Sequence, residues 1–200
     1  RWPDEYKYRE ADALKDAERK YAGEILKVKF YQYCFFTQWT DFKRYCNTKQ
    51  IRIIGDLPIY VSYDSADVWV YADIFKLDEN GEPVVVSGVP PDYFSATGQL
   101  WNNPVYDWDT MRRNGYRWWT ERMAALLRRF DMVRIDHFRG LVQYWEVGAG
   151  ETTAINGKWC DVPTYDFFDT LMKRFPDFPV IAEDLGVITD DVREVMRHYG

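Results

Sequence analysis

Two apolar runs in this chain each end in acids. One is Phe130-Asp131-Met132-Val133-Arg134-Ile135-Asp136-His137, and the other is Phe178-Pro179-Val180-Ile181-Ala182-Glu183-Asp184. A short apolar run bounded by turn residues reads as a buried parallel strand. An ionised carboxylate where such a strand stops is costly to bury, so its position needs a reason. In a (β/α) barrel that reason is chemical, because active sites sit at the C-terminal ends of the strands.

Side chains alternate along a strand. Met132, Arg134 and Asp136 are therefore expected on one face, and Val133 and Ile135 on the other. By the same parity Ile181 shares a face with Glu183, and Ile54 shares one with Asp56. Arg134 beside Asp136 is expected to keep that carboxylate ionised, as a nucleophile requires. The three apolar residues before Glu183 are expected to desolvate it, as a general acid requires. Two carboxylates with opposite perturbations fit acid/base glycosyl chemistry. A plainer reading stays open: Arg134 and Asp136 form a structural ion pair, and Glu183 caps the following turn. Asp56 reads as a sugar-hydroxyl acceptor or support for the acids, or as a cap on the turn at Pro58. His137 reads as a donor to a substrate hydroxyl or as a structural donor.

Other chemistries are less well supplied. The chain has two His and three Cys, with no His/Cys cluster, so no zinc site is expected. Gly148-Ala149-Gly150 lacks the third glycine and the strand–helix setting of a dinucleotide site. Ser87 and Ser95 have no nucleophile-elbow context. No cofactor is expected.

The elements that must carry these residues alternate. Residues from about Asp4 to Leu26 read as a solvent-facing helix, and Val28 to Asn47 as an aromatic-rich one. Ile51 to Asp56 reads as a strand, stopped by Leu57-Pro58. Asp64 to Tyr71 holds a short helix, and Asp78-Glu79-Asn80-Gly81 is a turn. That turn opens a long stretch to Asp109, expected as an inserted segment over residues 71–109 that is functional and ordered. Its Gly88–Pro104 portion, with Tyr93, Phe94, Gln99 and Trp101, suits saccharide stacking or a small core under a loop. Thr110 to Arg129 reads as one amphipathic helix ending in basic residues. Tyr165 to Arg174 reads as a helix with Thr164 as N-cap, and Thr189 is expected to cap a last helix. Alternation of this kind implies an α/β fold with a parallel sheet.

The chain has 200 residues and a net charge of −6, which argues against nucleic-acid or acidic-membrane partners. No apolar run is long enough to span a bilayer. Three Cys without C-x-x-C suggest reduced thiols in a cytosolic setting. Aromatics make up 18% of the chain, which suits sugar stacking as well as a core. Arg1 and Gly200 both look like cut ends. A (β/α)8 barrel needs about 250 residues, so this chain is expected to be a middle portion of one.

Five segments carry a family resemblance: IRIIGDLPIYVSYDSADVW (51–69), GVPPDYFSATGQLWNNPVYDW (88–108), VRIDHFRGLVQYWEV (133–147), TAINGKW (153–159) and VIAEDLGVIT (180–189). In these the chain resembles the 4-α-glucanotransferases, or amylomaltases, of glycoside hydrolase family 77. The first 50 residues match less distinctively. The resemblance implies an α-amylase-type (β/α)8 barrel acting on maltooligosaccharides and on starch- or glycogen-type α-1,4-glucans, with glucose as an acceptor. It implies a retaining mechanism with Asp136 as nucleophile, Glu183 as general acid/base and Arg134 as the charge partner of Asp136. It assigns Asp56 and His137 to the donor subsite, and Tyr93, Phe94, Gln99 and Trp101 to a loop over the acceptor side. It also implies a third acid, an Asp after a His, on a strand beyond Gly200. A cytoplasmic location follows, or a plastid one for a plant source. Asn102 stands where the family usually has Gly, and Gly148 where it usually has Pro. Three other readings stay in view: an α-glucan hydrolase of the same superfamily, a non-catalytic glucan-binding protein, and a lyase holding Mg²⁺ on Asp56, Asp136 and Glu183.

Overall fold

The computed structural model describes residues 2–185 and 188–200. The chain divides into two compact units, residues 1–53 and 54–200. The first unit is helical: α1 (Asp4–Lys7), α2 (Ala11–Lys20) and α3 (Ala22–Thr48). The charged segment expected as one helix is broken where Arg9 takes a left-handed φ of 57°. The chain bends again at Tyr21, so the aromatic-rich helix starts earlier than expected and runs for 27 residues. Phe35 and Trp39, one helical turn apart, stack with ring centres 5.9 Å apart.

The second unit holds, in chain order, β1 (Ile54–Leu57), α4 (Ala66–Val70), β2 (Val85–Val89), β3 (Gln99–Pro104), α5 (Trp108–Arg113), α6 (Arg117–Arg129), β4 (Met132–Ile135), β5 (Gln143–Gly148), β6 (Gly157–Asp161), α7 (Thr164–Arg174), β7 (Val180–Ala182) and α8 (Asp190–Tyr199). The protein is thus α/β. β1, β4 and β7 form a parallel sheet in the order β1-β4-β7, with Asp56 opposite Arg134 and Arg134 opposite Ile181. One face carries Leu57, Val133 and Ile135, which are buried in a core with Trp119 and Met123 of α6 and Phe167 and Leu171 of α7. The other face carries Ile54, Asp56, Met132, Arg134 and Ile181, none of them buried. This is the division that alternation predicts, although β1 begins at Ile54 and not Ile51.

A second sheet is antiparallel, in the order β3-β2-β5-β6. The stretch expected as a single excursion to Asp109 supplies β2 and β3. Its partners are β5 and β6, where the sequence carries no clear strand signal. Close backbone approach explains two glycines there: a Cβ on Gly88 would lie 2.6 Å from the Gln99 carbonyl, and one on Gly98 would lie 2.3 Å from that of Val89.

The helix expected over 110–129 is two helices. Gly115 and Tyr116 both adopt positive φ, and Tyr116 turns its ring into the core, edge-on to Phe167 at 5.3 Å. Thr164 does not cap α7 but is its first residue, preceded by Pro163. Its hydroxyl is taken by the Leu141 carbonyl at 2.9 Å, a tertiary bond that removes it from capping. Thr189 does occupy the N-cap position of α8. Among the described residues no helix is long and apolar enough to cross a membrane, and all three cysteines are free thiols.

Candidate active site

The acids gather at the C-terminal rim of the parallel sheet. Asp136 directly follows β4, and its N–H donates to the Leu57 carbonyl at 2.9 Å. Glu183 directly follows β7, and its N–H donates to the Ile135 carbonyl at 3.1 Å. The ladder thus carries one step past each strand end and fixes where both side chains start. Arg134 bridges two acids: Nη1 lies 2.5 Å from Asp56 Oδ1 and Nη2 lies 2.6 Å from Asp136 Oδ1. The hydrogen bonds to Asp56 and then Asp136 hold the guanidinium above its usual pKa.

Glu183 differs from expectation. It is partly exposed, not sealed in apolar surroundings. Each carboxylate oxygen accepts one backbone N–H, Oε2 from His137 at 2.8 Å and Oε1 from Leu185 at 3.0 Å. The turn-capping role that sequence left open is present in the Leu185 bond. It coexists with a bond to the residue next to Asp136, so the two acids are tied to one another through main chain.

His137 adopts a left-handed backbone, φ 53° and ψ 50°. Its ring packs edge-to-face against Trp101 of β3 at 4.8 Å. Burial lowers the His137 pKa, although Glu183 and Asp136 oppose that shift. Trp101 also meets Tyr60 at 6.2 Å, and its indole N–H donates to Gln99 Oε1 at 3.1 Å. The structure therefore brings Asp56, Arg134, Asp136, His137, Glu183 and Trp101 together, with Gln99 hydrogen-bonded to Trp101. Tyr93 and Phe94 stand apart on an exposed turn, 98% and 91% exposed, with their rings edge-on to each other at 5.7 Å. That turn is shaped by Asp92, whose Oδ1 accepts from the N–H groups of Phe94 and Ser95.

Several supporting residues were not singled out from sequence. The Ile59 carbonyl, in the loop after Asp56, accepts from Tyr106 Oη at 2.6 Å. Arg122 donates to the Pro58 carbonyl at 2.8 Å while its guanidinium lies over Trp118 and Trp119. Asn103 Nδ2 donates to the Val61 carbonyl at 3.1 Å. In the antiparallel sheet Glu146 is buried and paired with Lys76 at 2.7 Å and Lys158 at 3.1 Å. No sequence signal finds these partners: apart from Lys158, which is close to Glu146 in the chain, they lie 42 to 70 residues apart. Among the described residues no group of three or more His, Cys, Asp or Glu is arranged to hold a metal ion. Asp56 and Asp136 both face a cation already supplied by Arg134.

A rim with one guanidinium-paired Asp and one Glu from the next strand can attack and protonate across one bond. The sequence profile of glycoside hydrolase family 77, described as 4-alpha-glucanotransferase, matches residues 1–200. A 4-alpha-glucanotransferase of Synechocystis sp. is 51% identical over 200 residues, covering 99% of this chain and 40% of that protein. One of Aquifex aeolicus is 50% identical over 198 residues, covering 99% of this chain and 41% of that protein. The structure of amylomaltase from Streptococcus agalactiae in complex with acarbose superposes with a TM-score of 0.95 at 39% identity, over 98% of this chain and 40% of that one. The chain spans about two fifths of the length of these relatives. Matched along its whole length at such identities, it belongs to glycoside hydrolase family 77, the 4-alpha-glucanotransferases.

Proposed function

We propose that the polypeptide carrying this chain transfers segments of α-1,4-glucan to the 4-hydroxyl of another glucan or of glucose, by retaining double displacement. The observation that carries the reading is the linkage Asp56–Arg134–Asp136, continued through the His137 N–H to Glu183. Glu183 protonates the glucosidic oxygen while Asp136 attacks the anomeric carbon, forming a covalent β-glucosyl intermediate. Glu183, now ionised, takes the proton of the incoming 4-hydroxyl, which attacks the anomeric carbon and releases Asp136. The N–H groups of His137 and Leu185 receive the charge left on Glu183 when its proton departs. Retention needs the two carboxyl groups about 5–5.5 Å apart.

The three parallel strands are read as part of a (β/α)8 barrel whose open face is the barrel interior. A third acid belongs on a strand beyond Gly200. Asp56 and His137 contact the donor sugar, and the segment from Tyr93 to Trp108 covers the acceptor side and keeps water out. The acarbose complex of the Streptococcus agalactiae relative supports maltooligosaccharides, starch and glycogen as the substrate class. The free thiols fit a cytosolic setting.

The test is product analysis on the intact polypeptide with maltotriose. A ladder of longer oligosaccharides plus glucose is expected. Shorter sugars alone would make it a hydrolase, and no turnover would make it a binding protein. Asp136→Asn should abolish turnover and leave the melting transition in place. Activity at the wild-type level in that variant rules Asp136 out as nucleophile.

A further inference from the structure

We infer that Tyr60 is a positioning residue: it fixes the orientation of the Trp101 indole, and through that indole it sets how often the glucosyl intermediate goes to a sugar hydroxyl and how often to water. The inference rests on the function proposed above, in which the segment carrying Trp101 covers the acceptor side. Trp101 meets the ring of His137, the residue after Asp136, at 4.8 Å. The indole is only partly buried, so it relies on neighbours to hold its tilt. Tyr60 belongs to the core that Trp101 packs against. Its ring stands edge-on to the indole, with centres 6.2 Å apart and planes at 61°.

Tyr60 is itself held from several sides. Its ring stacks on the fully buried Tyr106 at 5.9 Å and 24°. The main chain is tied on either side of it. The Ile59 carbonyl accepts from Tyr106 Oη at 2.6 Å, and the Val61 carbonyl accepts from Asn103 Nδ2 at 3.1 Å. Asn103 lies two residues past Trp101 on β3, so the strand that carries the indole also grips the loop that carries Tyr60. Tyr60 therefore cannot swing aside to let the indole tilt. A tilted indole admits water where a sugar hydroxyl should reach the anomeric carbon. With either attacker, its oxygen bonds to that carbon, its proton passes to Glu183 and the bond to Asp136 breaks.

The test reads partition instead of stability. Transfer between maltotriose molecules leaves the number of reducing ends unchanged, whereas each hydrolysis adds one. Initial rates of reducing-end gain and of maltotriose consumption by the intact polypeptide therefore give the ratio of hydrolysis to transfer. Tyr60→Ala should raise that ratio about tenfold, the scale of losing an aromatic contact. Tyr60→Phe keeps the ring and should stay within about twofold of wild type. Tyr60→Leu fills the core without a ring; it should shift as the alanine does, and it serves if Tyr60→Ala fails to fold. In a Trp101→Ala background, Tyr60→Ala should move the ratio less than about twofold, because its effect passes through the indole. A wild-type ratio in Tyr60→Ala and Tyr60→Leu, a Tyr60→Phe ratio as high as that of the alanine, or an equal shift with and without Trp101 overturns the inference alone. A wild-type polypeptide that only hydrolyses maltotriose, or does not consume it, removes the proposed function, and this inference with it.

Discussion

Asp56 and Arg134 are register partners across β1 and β4, joined at 2.5 Å by a hydrogen-bonded ion pair. Locally, the Asp56 carboxylate is paired with the guanidinium. The loop at Pro58 is held instead by Arg122 and Tyr106. Arg134 spends one nitrogen on each acid, so its planar fork sets the spacing of Asp56 and Asp136 along the rim.

Arg134→Lys should therefore fail nearly as badly as Arg134→Ala. An ammonium is a point charge on a flexible stem and cannot reproduce two fixed donors. In the intact polypeptide kcat should fall about 10²–10³-fold for either change, the scale of losing one preorganised electrostatic partner. Melting should barely move, because the three side chains are 37–56% exposed and such pairs contribute little to stability. A lysine variant with near wild-type kcat would show that charge alone suffices.

Gly55 precedes Asp56 and packs against the Phe130 ring, where an added Cβ would lie 2.1 Å from Cδ2. Phe130 links α6 to β4, and its ring, half-buried, must shift to admit a Cβ at Gly55. Gly55→Ala should cost about 1–3 kcal/mol by overpacking. Adding Phe130→Leu should restore part of the loss, and thermal unfolding of the two single variants and the double variant measures the coupling. Strictly additive losses would show that the two positions do not clash.

The parallel sheet was legible because its strands are short apolar runs ending in acids, and alternation then assigns Arg134, Asp136 and Asp56 to one face. The antiparallel sheet was not. β5 reads Gln-Tyr-Trp-Glu-Val-Gly, with an acid in its middle that looks like a loop residue until Lys76 and Lys158 are beside it. Nor does sequence reveal that Gly115 and Tyr116 interrupt an otherwise continuous amphipathic pattern, because the Tyr116 ring is drawn to Phe167 51 residues away. Glu183 was expected to be desolvated from its apolar neighbours in sequence. The bonds it makes come from backbone N–H groups, which carry no sequence signature. Asn102 is the reverse case: where the resembled family usually has Gly, this chain has φ 60°, and asparagine tolerates that conformation better than other side chains.

His137 gives stability a dependence on neutral pH. Burial holds its folded-state pKa below the ordinary 6.5, despite opposing effects from Glu183 and Asp136. Folding thus favours the neutral imidazole. Its contribution is complete above the unfolded value and is lost as pH falls from there toward the folded value, because the unfolded chain takes up the proton first. The Tm of the wild type should fall as pH drops below 6.5, and His137→Asn should flatten that slope. An unchanged slope in the variant would show that the imidazole is as easily protonated folded as unfolded.

Glu146 sets the corresponding dependence in acid. Its side chain is only 4% exposed, and its ammonium partners are 34% exposed for Lys76 and 72% for Lys158. Burial pushes the carboxyl upward, but hydrogen bonds from Lys76 and Lys158 outweigh it and leave the group below its usual 4.5. Glu146→Gln keeps the shape and removes the charge, leaving one amide oxygen to accept from two lysines, while Lys76 keeps Tyr144 Oη at 2.8 Å. Both lysines reach water and can rehydrate, which limits the cost at neutral pH to about 1–3 kcal/mol. Because the folded-state value is depressed, the wild type's advantage is present above the unfolded value and disappears as pH falls through the folded one. Denaturation curves of wild type and variant should therefore be well separated at pH 7 and converge in strong acid. A gap that persists unchanged at low pH would mean that the loss in the variant does not come from removing the charge.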